Sequence, residues 1–142
     1  MIEVEAKVVI SEEEKREIVE KLRSLCPPEK VYESYEEDLF FNSIYDPSIG
    51  VDKTLKLRKS NDEVKLVFKC KERGENFKES LEIEVRVKSE DAGNLLRLLN
   101  MLGFRGGLTV KKRRLSFIFD GYTVNLDDVE GLGSFLEVEV LA

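Results

Sequence analysis

Carboxylate side chains recur at every second position in three short segments of the 142-residue chain. The pairs are Glu3 and Glu5 in EVEAK, Glu82 and Glu84 in LEIEVRV, and Glu137 and Glu139 in FLEVEV. In a β-strand, residues two apart point to the same face, so each pair would present two carboxylates side by side. Because hard divalent cations take oxygen ligands, a site built from these pairs would bind a metal ion such as Mg²⁺.

Basic side chains repeat at similar spacing in three other segments. They are Lys56 and Arg58 in TLKLRKS, Lys65 and Lys69 in VKLVFK, and Lys112 and Arg114 in VKKRRLSF. Arginine offers bidentate contacts to phosphate and lysine a point charge, so a cluster of these side chains would hold a polyanion. A metal ion and a triphosphate form a natural joint ligand, since Mg²⁺ usually binds through a few carboxylates together with substrate phosphates.

Two arrangements of these charged faces agree with the spacing. In the first, each face is the solvated side of an amphipathic strand in a sheet with one wet side. In the second, the charged faces turn towards one interior and line a water-filled tunnel. Six charged faces favour the second arrangement, because a solvated surface does not require three acidic pairs and three cationic pairs.

Composition limits the chemistry and the partners that we expect. Histidine is absent, which excludes histidine-based triads and histidine acid–base catalysis. The formal net charge of −6 argues against DNA or RNA as a partner, since binding to the phosphate backbone needs a basic surface. Cys26 and Cys70 lack metal-ligand spacing and are expected to be reduced thiols of a cytoplasmic protein. No apolar run approaches a membrane span and no signal peptide precedes the first strand, so we expect no membrane partner.

The period of the apolar residues predicts the elements that would position the charged side chains. Strands are predicted at 2–10, 30–42, 53–60, 63–71, 79–88, 108–119, 122–128 and 134–141, and helices at 11–25 and 90–102. The apolar helix faces are Ile18, Val19, Leu22 and Leu25, and Leu95, Leu96, Leu99 and Leu102. Ser11 and Glu14 form a capping box, and Ser89 is the candidate cap of the second helix. Asp120-Gly121 predicts a hairpin, and Gly106-Gly107 predicts a turn.

An internal repeat indicates how these elements are organised. IEVEAKV at 2–8 recurs as LEIEVRV at 81–87, and each copy precedes a Ser-Glu pair, a helix and further strands. The chain, 1–142, is therefore interpreted as one α+β domain made of two strand–helix–three-strand halves. About eight antiparallel strands can close into a barrel with a ligand-holding interior, and we predict such a barrel with the helices packed outside. The alternative is an open sheet with both helices on one face.

These motifs, in this order, resemble the CYTH superfamily of class IV adenylyl cyclases and thiamine triphosphatase-like enzymes over nearly the whole chain. The matching positions are EVEAK at 3–7, DLFF at 38–41, LKLR at 55–58, Lys69, Glu82 and Glu84, Lys112, Arg114 and Phe117, and LDDVEGLGSFLEVE at 126–139. Lys56 stands where the family usually has an arginine, and Phe117 where it often has a tyrosine. The last segment is most similar to the class IV adenylyl cyclase branch.

The resemblance implies a triphosphate tunnel that binds Mg²⁺ or Mn²⁺, and it implies roles for individual residues. The implied metal ligands are Glu3, Glu5, Glu137 and Glu139, with Glu82, Glu84 and Asp127 as supporting acidic groups. The implied phosphate-binding residues are Lys7, Lys56, Arg58, Lys69, Lys112 and Arg114. Lys7 and Glu5 are the catalytic candidates, and the match marks Arg86 less firmly. Resemblance to the cyclase branch also leads us to expect a homodimer.

Two reactions fit such a site. In a cyclase, the ribose 3′-hydroxyl of ATP attacks the α-phosphate, and cyclic AMP and pyrophosphate form. In a triphosphatase, water attacks the terminal phosphate of tripolyphosphate, thiamine triphosphate or a nucleoside triphosphate. Phosphoryl transfer needs little covalent chemistry from the protein, which suits a chain without histidine. The C-terminal motif favours the cyclase branch, and the further alternatives are a polyphosphate- or nucleotide-binding module without turnover and a purely structural β-protein.

Overall fold

A computed structural model describes the backbone of residues 2–73 and 78–141. The strands are β1 Ile2–Ile10, β2 Val31–Ser43, β3 Lys53–Ser60, β4 Glu63–Arg73, β5 Lys78–Val87, β6 Phe104–Phe119, β7 Tyr122–Val129 and β8 Gly133–Leu141. The helices are α1 Glu12–Leu25 and α2 Ala92–Met101. The two predicted halves are confirmed, since β1, α1 and β2–β4 are followed by β5, α2 and β6–β8.

The eight strands form a closed antiparallel barrel. Around the barrel the order is β1, β5, β4, β3, β2, β6, β7 and β8, and β8 pairs with β1 to close the sheet. Every neighbouring pair is antiparallel. The predicted barrel is therefore confirmed, and the open-sheet alternative is wrong.

Alternation along the strands separates a charged inner face from an apolar outer face. On β6, Lys112 and Arg114 line a cavity inside the barrel, whereas Leu115 and Phe117 belong to an apolar cluster outside it. On β3, Lys56 faces inwards and Leu57 faces outwards in the same way. The two-residue period of a strand thus places the charged residues on one interior surface.

Both helices pack on the outside of the barrel, as predicted. Ile18, Val19 and Leu22 of α1 pack against a cluster that includes Phe117 and Leu126. The second cluster joins Leu95, Leu96 and Leu99 of α2 to Phe41, Leu57 and Val64 of the sheet. Full burial of an aliphatic side chain such as Leu99 stabilises the fold by roughly 1.5–3 kcal/mol, and the partly buried helix residues contribute less. Within the described residues, neither helix is both long enough and apolar enough to cross a membrane.

Local signals set where the helices and hairpins begin. The Ser11 hydroxyl accepts a hydrogen bond from the Glu14 backbone N–H, and the Glu14 carboxylate accepts one from the Ser11 N–H, which confirms the capping box. Lys15 of α1 pairs with Asp128 of β7 and ties the helix to the barrel. The β6–β7 hairpin turns at Asp120-Gly121, where Gly121 has a φ of 82°.

Three local predictions are corrected by the structure. Ser89 does not cap α2, because it opens a 3₁₀ turn, Ser89–Asp91, that leads into the helix. Gly106 and Gly107 lie within β6; Gly106 pairs with Phe41 of β2, and Gly107 lies where the register of the two strands shifts. A Cβ at Gly107 would come within 3.2 Å of the Asn42 side chain, so glycine leaves room for that side chain. Leu25 and Leu102 are 72% and 57% exposed, because they lie at the helix ends beyond the outer clusters.

Candidate functional site

A cavity of about 550 Å³ occupies the interior of the barrel, and among the described residues every side chain that lines it is charged. The lining residues are Glu3, Glu5, Lys7, Lys56, Arg58, Lys69, Glu82, Glu84, Lys112, Arg114, Glu137 and Glu139. All twelve were predicted from the sequence to be site residues. The remaining predicted site residue, Asp127, is buried behind Arg114 and is 1% exposed.

The carboxylates form an acidic wall on β8, β1 and β5, which are neighbours in the barrel. Glu5 lies directly opposite Glu139 across the β1–β8 pair. Oxygen atoms of Glu3, Glu5 and Glu139 lie within 4.8 Å of one another. This spacing suits a single hard cation with oxygen ligands, so these three side chains fit a Mg²⁺ or Mn²⁺ ion.

Glu137 lies outside this three-carboxylate cluster, although it shares the inner face of β8. Its carboxylate accepts a hydrogen bond from Asn125 Nδ2 at 3.2 Å. Lys7 Nζ and Arg114 Nη2 lie 4.0 and 3.7 Å from its oxygens. Glu137 therefore lies between the three-carboxylate cluster and the cations, and its implied role as a metal ligand stays a prediction.

Crowding of the carboxylates changes their affinity for protons. Burial and the charge of Glu137 raise the pKa of Glu139 to about 7, and the same two causes raise the pKa of Glu5. Burial and a hydrogen bond to Glu3 raise the pKa of Glu82 to about 8. Burial opposes ionisation of Glu3 as well, but its hydrogen bond with Glu82 and the nearby Lys69 lower its pKa to about 2. The acidic wall thus holds protons near neutral pH that a divalent cation could replace.

The opposite side of the barrel carries a cationic wall made of Lys56 and Arg58 on β3 and Lys112 and Arg114 on β6. Arg58 donates through Nε and Nη2 to the two oxygens of Asp38, at 2.8 and 2.9 Å. Arg114 makes the same two hydrogen bonds to Asp127, at 2.7 and 2.8 Å. Each pair is directly opposite in its strand register, so each guanidinium is fixed in direction while its Nη1 remains outside the bidentate contact.

Asp38 and Glu36 are buried site residues to which the sequence analysis assigned no role. Asp38 is 2% exposed and holds Arg58, and Glu36 is 7% exposed beside Arg58 and Lys112. Their signal is the Glu-x-Asp spacing in YEEDLF, which places both carboxylates on the inner face of β2. Asn125 was also missed; it links Glu137 to the Ser116 hydroxyl.

Lys69 lies on β4, between the acidic wall and the cationic wall, and contacts the acidic one. Its Nζ lies 3.0 Å from Glu3 and 3.5 Å from Glu82, so it neutralises part of the acidic wall. Lys56 is held 5.4 Å above the Phe40 ring, and burial together with the charge of Arg58 lowers its pKa to about 8. Lys7 is more exposed and lies 5.3 Å from the Phe135 ring. Lys7, Lys56 and Lys69 are thus held at different places around the cavity by different neighbours.

Arg86 and Lys65 behave differently from the lining cations. The Arg86 side chain is 82% exposed and pairs with Glu63 at 2.9 Å. Arg86 therefore does not reproduce the position of Lys7, although the two occupy equivalent places in the sequence repeat. Lys65 lies 3.5 Å from Glu84 and partly neutralises the end of the acidic wall.

The acidic wall makes the stability of the metal-free protein depend on pH. Glu82 and Glu139 have folded-state pKa values of about 8 and 7, above the ordinary value of 4.5. Between about pH 4.5 and pH 8, the folded protein therefore binds more protons than the unfolded chain. The free energy of unfolding falls as the pH rises through this interval. Glu3 and Asp38 have lowered pKa values, so their ionised forms stabilise the folded protein. That stabilisation is lost only at lower pH, as the pH falls towards 2.

We therefore expect the melting temperature in EDTA to be lower at about pH 8 than at about pH 5.5. Glu139→Gln should reduce this difference, because glutamine does not titrate. Glu130→Gln, in the exposed turn between β7 and β8, should not change it. Differential scanning fluorimetry across this pH range measures the effect. A melting temperature that stays constant or rises in the wild-type protein would contradict the raised pKa values.

Comparisons with known proteins agree with this architecture. The CYTH domain model matches residues 1–142. A Methanocaldococcus jannaschii protein named "Putative adenylate cyclase MJ0240" is 32% identical over 139 residues, which are 98% of this chain and 77% of that protein. The PH1819 protein of Pyrococcus horikoshii has a TM-score of 0.83 at 34% identity, over 99% of this chain and 78% of that one.

A plant protein from Hippeastrum, described as having a dominant triphosphatase activity, shares the fold. Its TM-score is 0.74 at 16% identity, over 98% of this chain and 78% of that one. At this identity the likeness shows the fold alone. The whole-chain family match and the M. jannaschii relative carry more weight, and they establish that the chain belongs to the CYTH domain family.

Proposed function

We propose that the protein is a metal-dependent enzyme that acts on a triphosphate held inside the barrel. The observation that carries the proposal is the opposition of two charged walls across one cavity. The cluster of Glu3, Glu5 and Glu139 faces a cationic wall that contains two rigidly held arginines. The cavity volume of about 550 Å³ lies within the range of small-molecule sites.

The chain's own residues would divide the work between binding and orientation. Arg58 and Arg114 would offer their remaining Nη1 groups to phosphate oxygens, while Asp38 and Asp127 keep the guanidiniums in place. Lys56 and Lys112 would add point charges. A bound Mg²⁺ or Mn²⁺ would neutralise phosphate charge and orient the attacking oxygen.

Glu5 and Lys7 are the side chains that we propose to act closest to the reacting phosphate. They share the inner face of β1, so their carboxylate and ammonium groups lie next to each other in the barrel. Glu5 belongs to the metal-ligand cluster, and Lys7 is the adjacent cation. Together they would hold a metal-bound phosphate between opposite charges.

Cyclisation of ATP to cyclic AMP and pyrophosphate is the reaction that we favour. It is supported by the name of the M. jannaschii relative at 32% identity and by the C-terminal LDDVEGLGSFLEVE motif. Hydrolysis of a triphosphate is the second candidate, because the Hippeastrum protein, built on the same fold, is described as having a dominant triphosphatase activity. The two reactions differ in which phosphorus atom is attacked.

Product analysis tests the proposal. We expect the purified protein to convert ATP with Mg²⁺ or Mn²⁺, and to lose activity in EDTA. Anion-exchange chromatography separates cyclic AMP from ADP, and phosphorus NMR identifies pyrophosphate or phosphate. Cyclic AMP with pyrophosphate supports the cyclase, whereas ADP with phosphate, or cleavage of tripolyphosphate, supports the triphosphatase. No metal-dependent product from ATP or tripolyphosphate would contradict the proposed enzyme.

A further inference from the structure

Glu36 places a carboxylate at the centre of the cationic wall. It lies on β2, which separates β3 from β6 in the barrel. Its Oε2 atom is 3.2 Å from Arg58 Nε and 3.5 Å from Lys112 Nζ, and its Oε1 atom is 4.0 Å from Arg114 Nη1. The side chain is 9% exposed, yet Oε2 accepts no hydrogen bond from any residue that the structure describes.

This geometry differs from that of the other two carboxylates in the wall. Asp38 and Asp127 each accept two hydrogen bonds from one arginine and thereby fix its direction. Glu36 fixes no partner in this way, because Arg58 Nε is already directed at Asp38. Its main effect on three cations is therefore through its charge.

The charges of the wall nearly cancel in the protein alone. Four cations, Lys56, Arg58, Lys112 and Arg114, share the wall with the carboxylates of Glu36, Asp38 and Asp127. The net formal charge is plus one when all of these groups are ionised. The facing surface is the acidic wall on β8, β1 and β5, where Lys7 and Lys69 offset only part of the charge of six carboxylates, so this surface repels an anion. A polyphosphate that enters without a metal ion thus meets little net attraction.

We propose that Glu36 makes triphosphate binding depend on a divalent cation, an inference that rests on the proposed function. By neutralising one charge of the cationic wall, Glu36 keeps the protein's own cations from holding a metal-free triphosphate. A metal ion held by the acidic wall removes the repulsion on that side and reduces the charge of the anion. The metal-loaded substrate therefore binds, and the free anion is rejected.

Isothermal titration calorimetry with tripolyphosphate, in EDTA and in Mg²⁺, tests this role. In EDTA, Glu36→Gln should lower the dissociation constant about tenfold or more, because the wall gains a unit of net positive charge. In Mg²⁺ the dissociation constant should change by less than about threefold. The ratio of the dissociation constant in EDTA to that in Mg²⁺ should therefore fall in the variant. Glu37→Gln is the matched control, since Glu37 is the next residue along β2 and faces outwards.

The outcomes separate this inference from the proposed function. A wild-type protein that fails to bind tripolyphosphate even with Mg²⁺ would contradict the proposed function. If the wild-type protein binds tripolyphosphate with Mg²⁺ but Glu36→Gln leaves the ratio of the two dissociation constants unchanged, the inference about Glu36 is wrong and the proposed function stands. A merely structural Glu36 would alter the melting temperature and leave the ratio unchanged. If circular dichroism shows that Glu36→Gln does not fold, Glu36→Ala carries the same test.

Discussion

Replacing Glu5 with glutamine is expected to lower metal-dependent turnover by about 100-fold or more while the protein remains folded. Glutamine has nearly the same shape but supplies no negative charge to the cluster of Glu3, Glu5 and Glu139. Loss of a residue that only supports a metal ligand already costs about 10- to 100-fold, so loss of a ligand should cost at least as much. Burial and the charge of Glu137 raise the pKa of Glu5, so a neutral side chain should not destabilise the metal-free protein.

Two measurements separate loss of the site from loss of the fold. Turnover as a function of Mg²⁺ concentration reports metal affinity, and the melting temperature with and without Mg²⁺ reports binding to the folded state. Glu130→Gln, which makes the same chemical change in an exposed turn, should retain both signals. A Glu5→Gln variant that keeps wild-type turnover at the same Mg²⁺ concentrations would remove Glu5 from the metal site.

The charged interior could be predicted because strand periodicity carries the information about which face a residue occupies. Glu3, Glu5 and Lys7 are two apart, so any strand over this segment must place them together. The strand count and the repeat then favoured closure into a barrel, which makes one face of every strand an interior. Motif order along the chain supplied the family. None of these steps requires knowledge of which strands are neighbours.

The pairing of side chains across the barrel could not be predicted in the same way. Lys69 meets Glu3 across 66 residues, and Lys112 meets Glu36 because β6 pairs with β2. Such contacts depend on the order of non-consecutive strands and on their register, which no short turn fixes. The family resemblance grouped Glu137 with the metal ligands, and only the register of β8 with β1 and β7 shows it beside Lys7 and Asn125.

Asp127→Asn is expected to destabilise the protein by about 3 kcal/mol, the largest effect on stability among these variants. The Arg114 side chain is 13% exposed, and Asp127 accepts two of its hydrogen bonds. Burial opposes ionisation of Asp127, but Arg114 holds the pKa of that carboxyl below its usual range. Removal of the negative charge leaves a buried guanidinium without its main counter-ion, which is more costly than the loss of the pair as a whole.

The double variant Asp127→Leu/Arg114→Met gives the decisive comparison. It should be more stable than Asp127→Asn, because an apolar pair of similar volume removes the buried guanidinium together with its main counter-ion. Asp128→Asn is the matched control: Asp128 is the next residue along β7, its side chain is 43% exposed, and its loss should cost less than about 1 kcal/mol. Urea unfolding measures all three. If Asp127→Asn and Asp128→Asn have equal stability, the bidentate contact does not hold Arg114 in the folded protein, and the rigid cationic wall would have to be abandoned.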